Sequence, residues 1–138
     1  MLNPMTAMTA ALREHLPTTF KPHSSNSGQD EDIHSFYAGH VAAITGAGSG
    51  MGRALAIHLA QMGCDVALSD ITAESLAETQ KLLAGYDIKS TITVLDVSDK
   101  DAVYAWADNV VADHGKVNFI FNNAGVALYS TVEGSSIE

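Results

Sequence analysis

The chain has 138 residues, 46% of them hydrophobic, which is enough for one domain with a buried core. Its formal net charge is −9, from 7 Lys plus Arg against 16 Asp plus Glu. Such a surface repels nucleic acid and anionic membranes, so we expect neither as a partner, and an anionic ligand would have to be held by backbone amides.

Residues 1–36 are predicted to form a flexible leader. The stretch LPTTFKPHSSNSGQDEDIHSF combines two prolines, a Ser/Asn/Gly cluster and an acidic run, without a sustained apolar period. Four of the six histidines lie in the first 40 residues without the spacing of metal ligands, so no metal site is predicted. The single cysteine, Cys64, excludes an intramolecular disulfide and favours a cytoplasmic protein.

From residue 37 onward, apolar strands alternate with amphipathic helices. The first strand is predicted in HVAAITG, the second in CDVALSD, the third in STITVLDVS and the fourth in KVNFIFNNAG. Because such alternation builds right-handed βαβ units, residues 37–138 are predicted to form an α/β domain. We expect a Rossmann-type doubly wound parallel sheet, truncated after about four strands.

Capping residues indicate where the intervening helices begin and end. The first helix is predicted over residues 51–61, with Gly63 as its C-terminal cap. Thr72 is the predicted N-cap of the second helix, and Ser98 with Asp101 forms an S-x-x-D capping box for the third. The predicted inward faces are Leu76, Leu83 and Ala84 in the second helix and Val103, Trp106, Ala107 and Val110 in the third.

The stretch TGAGSGMG, residues 45–52, lies between the first strand and the first helix. It fits neither G-x-G-x-x-G nor the Walker pattern, but it does fit T-G-x-x-x-G-x-G. Gly46 permits a tight turn, Gly50 lets the backbone approach a pyrophosphate, and Gly52 lets the helix pack closely on the strand. The amides and the dipole at the helix start would then hold the anion, which predicts a dinucleotide site.

Asp70 ends the second predicted strand, 18 residues after Gly52. A carboxylate at this position can accept hydrogen bonds from both adenosine ribose hydroxyls and repels a 2′-phosphate. No basic residue stands at Ser49 or Ile71 to compensate such a phosphate, and Arg53 is a weaker candidate for that role. The predicted cofactor is therefore NAD rather than NADP.

Three motifs together resemble the short-chain dehydrogenase/reductase family. They are TGAGSGMG, LDVSD at residues 95–99 and NNAG at residues 122–125, and the resemblance covers about residues 39–138. It implies that the pyrophosphate and nicotinamide side of the cofactor is lined by Gly46, Ser49, Gly50, Met51 and Gly52. It also implies that the adenosine ribose meets Asp70 and Ile71, the adenine meets Asp96 and Val97, and the nicotinamide ribose meets Asn123, Ala124 and Gly125.

The chain departs from the family in its catalytic residues. Family members use a serine and a Y-x-x-x-K pair in the half of the fold after NNAG, where the tyrosine is the general acid or base. None of Tyr37, Tyr86, Tyr104 and Tyr129 is followed by Lys four residues on. No catalytic residue is therefore assigned, the chain alone is predicted to be inactive, and a small alcohol or carbonyl substrate is expected only for a full-length form.

Two alternatives to the N-terminal part of an NAD-dependent oxidoreductase remain open. One is a non-catalytic NAD-binding or regulatory module, and the other is a methyltransferase-like nucleotide-binding domain. The resemblance also implies the strand order 3-2-1-4 for these strands, which leaves the apolar fourth strand at a sheet edge. The isolated chain is therefore predicted to be marginally stable, and a homo-oligomer is possible.

Overall fold

A parallel sheet of four strands forms the centre of the part of the chain that the structure describes. The structure is a computed structural model and describes residues 10–11 and 33–125; most of the predicted leader and residues 126–138 lie outside this part. The strands are β1 (Val41–Thr45), β2 (Asp65–Asp70), β3 (Ser90–Val94) and β4 (Phe119–Asn122), in the order β3-β2-β1-β4. All three pairings are parallel, and Ile44 aligns with Leu68 and Phe121. The predicted strands and their order are confirmed.

Helices cover both faces of this sheet. They are α1 (Ile33–Tyr37), α2 (Gly50–Gln61), α3 (Ala73–Leu83) and α4 (Lys100–His114). Ala42 and Ile44 of β1 belong to one core cluster, with residues of α2 and α3. Ala43 belongs to the other, with the inward face of α4. Because successive strand residues point to opposite faces, burial of all of β1 is the signature of a doubly wound sheet, as predicted.

Helix α1 begins at Ile33, inside the segment predicted as a flexible leader. Phe36 lies edge-on to Tyr37 at a ring-centroid distance of 5.0 Å, and Tyr37 lies 5.3 Å from Phe119 of β4. These ring contacts attach the end of the predicted leader to the sheet. The division of the chain at residue 36 stays a prediction, since most of residues 1–32 lies outside the described part.

Thr72 occupies the predicted N-cap position of α3, although its side chain makes no capping hydrogen bond. Two details of the predicted helices are wrong. Ala84 is exposed rather than buried, because α3 already ends at Leu83. At the start of α4 the cap is Asp99, whose carboxylate accepts the amide of Ala102 at 3.0 Å, and not Ser98. The inward face predicted for α4 is confirmed, since Val103, Trp106, Ala107 and Val110 are all buried.

The predicted end of α2 is confirmed. Gly63 has φ of +76°, a left-handed conformation that glycine adopts without strain. Its amide donates to the carbonyl of Ala60, and the amide of Cys64 donates to that of Leu59. Cys64 is buried directly after this turn, and burial, with a smaller effect of Asp65, raises the pKa of its thiol to about 11. Such a thiol is unreactive at neutral pH.

Candidate functional site

A cavity of about 450 Å³ opens at the carboxyl ends of the four strands. The segments that follow β1, β2, β3 and β4 each contribute to its wall. In doubly wound sheets this end, at the point where the strand order reverses, is where ligands bind. The lining residues are Gly46, Ser49, Asp70, Ile71, Leu95, Asp96, Val97, Asn123, Ala124 and Gly125.

Packing is too tight for a side chain at Gly46 in the glycine loop, residues 46–50, and at Gly52 in the helix that follows it. Gly46 has φ of +66°, and a Cβ there would lie 2.9 Å from the Cα of Ala124. A Cβ on Gly52, in the first turn of α2, would lie 2.1 Å from the carbonyl oxygen of Gly46. The loop, the helix start and the turn after β4 therefore touch through backbone atoms, as expected for Gly46 and Gly52 from the sequence.

Helix α2 begins beside the cavity without a side-chain cap from its N-cap residue. Ser49 occupies the N-cap position, but its side chain makes no capping hydrogen bond, and the first turn holds no acidic residue. The first amides of a helix have no intrahelical partner, and the helix dipole adds positive potential there. The start of α2 is therefore suited to an anionic ligand group.

Asp70 holds its carboxylate on the cavity wall through two backbone donors. Its Oδ2 accepts the amide of Gly48 at 2.9 Å, and its Oδ1 accepts the amide of Thr72 at 3.1 Å. Each carboxylate oxygen has a further lone pair, so both can still accept a hydroxyl. The arrangement fits a vicinal diol such as a ribose.

Asp96 presents a second carboxylate to the cavity, after β3. Its Oδ1 accepts the hydroxyl of Ser98 at 2.7 Å and the amide of Ser98 at 2.9 Å. These two hydrogen bonds, the hydroxyl first, lower the pKa of Asp96 below its usual value. With Asp70 it makes this part of the cavity wall acidic, so a ligand group placed here would be a donor rather than a phosphate.

The NNAG turn is attached to the end of β1 by Thr45. The Thr45 hydroxyl oxygen accepts the amides of Asn123 at 3.1 Å and Ala124 at 3.0 Å. The side-chain amide of Asn123 donates to the carbonyl of Gly46 at 3.2 Å. Thr45 is 2% exposed, so this junction is shielded from water. The junction therefore fixes the position of the turn relative to the glycine loop.

Arg53 does not line the cavity. Its guanidinium donates to Thr79 and Glu78 of α3 and to the backbone carbonyls of Gly48 and Ser75. Arg53 was considered from the sequence as a possible contact for a 2′-phosphate. Its guanidinium is instead already hydrogen-bonded to the loop backbone and to α3.

The structure brings most of the twelve predicted site residues together. All line the cavity except Gly50, Met51 and Gly52, which form the first turn of α2 beside it. Leu95 also lines the cavity and was missed, although its position directly after β3 is the kind of signal that identified Asp70. Across residues 10–11 and 33–125, no three His, Cys, Asp or Glu side chains are grouped as metal ligands, and no helix is long and apolar enough to cross a membrane.

This chain is similar in sequence and fold to known proteins. A family model described as short chain dehydrogenase matches residues 40–137. The Mycobacterium tuberculosis protein SadH, named as an oxidoreductase, is 43% identical over 104 residues, which is 75% of this chain and 38% of SadH. The chain thus spans well under half the length of this relative.

Solved structures of similar fold include proteins with either dinucleotide. Carveol dehydrogenase from Mycobacterium avium, in complex with NAD, is 34% identical with a TM-score of 0.68, over 72% of this chain and 40% of that one. A metagenomic short-chain oxidoreductase in complex with NADP is 35% identical with a TM-score of 0.61, over 64% of this chain and 40% of that one.

Proposed function

This chain belongs to the short-chain dehydrogenase family, and on that premise we propose that it binds NAD in the strand-end cavity as the cofactor-holding part of an oxidoreductase. In such an enzyme the bound nicotinamide exchanges a hydride with an alcohol or a carbonyl substrate. Family membership removes the methyltransferase-like alternative. We also propose a cytoplasmic location, on the single cysteine of the sequence.

The uncapped start of α2 beside the cavity is the observation that carries this proposal. A pyrophosphate would accept hydrogen bonds from the amides of the first turn, which Gly52 allows to pack directly against the Gly46 carbonyl. Asp70 would hold the adenosine ribose, and Asp96 and Val97 would contact the adenine. The turn of Asn123, Ala124 and Gly125 would hold the nicotinamide ribose.

The charges around Asp70 favour NAD over NADP. An added 2′-phosphate would lie against the Asp70 carboxylate, and the nearby cation, Arg53, is already paired with Glu78 at 3.1 Å. The neighbouring structures with NAD and with NADP allow either cofactor, so this preference rests on the local charge alone.

The chain by itself is proposed to bind the cofactor without turning it over. No tyrosine of the sequence has a lysine four residues on, so the family's general acid or base pair is missing from these 138 residues. Binding without turnover is also what a non-catalytic NAD-binding module would show. The role of this chain in a longer enzyme is therefore a separate question from cofactor binding, and cofactor binding is tested first.

Calorimetric titration of the 138-residue chain with NAD and NADP tests the proposal. We expect saturable binding of NAD and roughly ten-fold weaker binding of NADP, because two like charges meet at Asp70. Gly52→Ala should abolish binding, since its Cβ would overlap the Gly46 carbonyl. Gly85→Ala is the matched control, because a Cβ there meets nothing within 4 Å. A folded chain that does not bind NAD, or that binds NADP more tightly than NAD, would contradict the proposal.

A further inference from the structure

A polar network connects α2 and α3 behind the glycine loop. Arg53 Nε donates to Thr79 Oγ1 at 3.0 Å, and Arg53 Nη2 donates to the carbonyls of Gly48 and Ser75. The Thr79 hydroxyl donates to the carbonyl of Ala47 at 2.9 Å, and the carbonyl of Ser75, at 3.1 Å, is its second and longer acceptor contact. Thr79 is fully buried, and neither Thr79 nor Arg53 lines the cavity.

This network binds two successive carbonyls of the loop. In a planar trans peptide the C=O of one residue and the N–H of the next point in opposite directions. Thr79 binds the carbonyl of Ala47, and the amide of Gly48 in the same peptide donates to Asp70 Oδ2. Arg53 binds the carbonyl of Gly48, so the amide of Ser49 in the next peptide points the opposite way. Thr79 and Arg53, which do not line the cavity, thus fix the orientation of the two peptides through their carbonyl groups.

We propose that Arg53 and Thr79 are positioning residues for the cofactor site. By binding the carbonyls of Gly48 and Ala47, they turn the Ser49 amide toward the ligand and hold the Gly48 amide on the Asp70 carboxylate. The identity of the ligand in this inference rests on the proposed function, whereas the orientation of the two peptides is independent of it. It assigns Arg53 to the loop backbone rather than to a phosphate of the cofactor.

The ion pair of Arg53 with Glu78 is a lesser part of the network. The Glu78 side chain is 66% exposed, and exposed ion pairs contribute little. If Arg53 acts through the carbonyl of Gly48, then Glu78→Gln should leave the loop unchanged. If Arg53 acts as a general positive charge near an anionic ligand, then Lys81→Met, which removes one positive charge from the exposed side of α3, should weaken binding as much as Arg53→Met.

Amide hydrogen exchange on the ligand-free chain tests the positioning role directly. In Arg53→Met and Thr79→Val we expect exchange at loop residues 46–50 to rise about ten-fold, because each variant removes a hydrogen bond to a loop carbonyl. Exchange at the buried β1 and β2 amides of Ile44 and Leu68 should stay within about two-fold of the unmodified chain. Glu78→Gln and Lys81→Met should match the unmodified chain at both places.

Titration with NAD supplies the second measurement. NAD affinity should fall about ten-fold in Arg53→Met and Thr79→Val and stay unchanged in Glu78→Gln and Lys81→Met. Unchanged loop exchange, or an equal rise in the loop and the core, would overturn the inference, as would unchanged NAD affinity in a chain that binds NAD. If the unmodified chain binds no NAD, the proposed function fails, and the exchange data alone decide the positioning role.

Discussion

At the scale of single residues, Asp70 combines two tasks. Its carboxylate accepts the amides of Gly48 and Thr72, which orders the loop after β1 and the entry to α3. The same carboxylate lies on the wall of the cavity, where a ribose hydroxyl or a 2′-phosphate would meet it. Its position at the end of β2 was readable from the sequence, whereas its backbone donors were not.

Replacing Asp70 with Ala should weaken NAD binding by roughly 10- to 100-fold, since hydrogen bonds to a charged group are among the stronger ones. NADP should lose less affinity, because the repelling charge disappears with the hydrogen bonds. Parallel titrations with the two cofactors measure both effects as a ratio of dissociation constants. Unchanged NAD affinity would remove Asp70 from the site.

His114, at the end of α4, should make stability depend on pH. Its Nε2 lies 2.9 Å from Thr91 Oγ1, and its buried Nδ1 has no hydrogen-bond partner in the described part of the chain. Burial, and then the charge of Lys89, lower the pKa of His114 below its ordinary 6.5, against the opposing effect of Asp65 and Asp113. The folded protein therefore disfavours the protonated imidazole.

The unfolded chain then binds more protons than the folded one below pH 6.5. Stability from this group is complete above that pH and is lost as the pH falls through the lower, folded pKa. Urea unfolding between about pH 7.5 and about pH 5, which is about one unit above and about one and a half units below the unfolded value, should show a smaller loss of stability for His114→Gln than for the unmodified chain. His58→Gln, an exposed change on α2, should keep the original slope, and equal slopes in all three would contradict the assignment.

At the scale of elements, the N-cap of α4 lies one residue after the position that the sequence pattern predicts. Ser98 has the spacing of a capping box, but its hydroxyl and amide are both bound by Asp96. This turn places Asp99 at the N-cap position, where its carboxylate accepts the amide of Ala102. A sequence pattern cannot choose between two adjacent capping residues when a third residue competes for one of them.

Asp99→Ala should therefore lower the free energy of unfolding by about 1 kcal/mol, the usual contribution of an N-cap. Ser98→Ala should leave α4 nearly as stable, while the pKa of Asp96 rises because its strongest hydrogen bond is removed. Chemical denaturation gives the first quantity and NMR titration of the carboxylate gives the second. A larger loss of stability in Ser98→Ala than in Asp99→Ala would contradict this assignment and support Ser98 as the N-cap.

At the scale of the whole molecule, β4 is an edge strand of the sheet in the part of the chain that the structure describes. Within the described residues it pairs only with β1, and all four of its residues are half-buried. Phe119 and Phe121 pack against one core cluster, and Ile120 packs against the other. An edge strand that is apolar on both faces is prone to pair with another chain.

We therefore expect the 138-residue chain to be marginally stable and to associate as its concentration rises. Sedimentation velocity over a range of concentrations measures the association, and thermal unfolding measures the stability. NAD at about 100 times its dissociation constant should add about 2.7 kcal/mol, because it binds only the folded state. A monomer that melts cooperatively well above room temperature without cofactor would contradict this prediction.

The sequence by itself determined the alternating strands and helices of an α/β sheet, the glycine loop and the position of Asp70, while the strand order and the other cavity residues followed from the resemblance of its motifs to a family. Apolar periodicity, glycine spacing and the position of Asp70 at a strand end are local signals, and parallel strands bring their carboxyl ends to one edge. Only the tertiary structure decided what lies behind the loop. Arg53 and Thr79 are 26 residues apart on different helices, and their shared hold on the loop carbonyls depends on how α2 packs against α3. No local pattern encodes that packing, because it depends on the relative position of two helices that each satisfy their own periodicity.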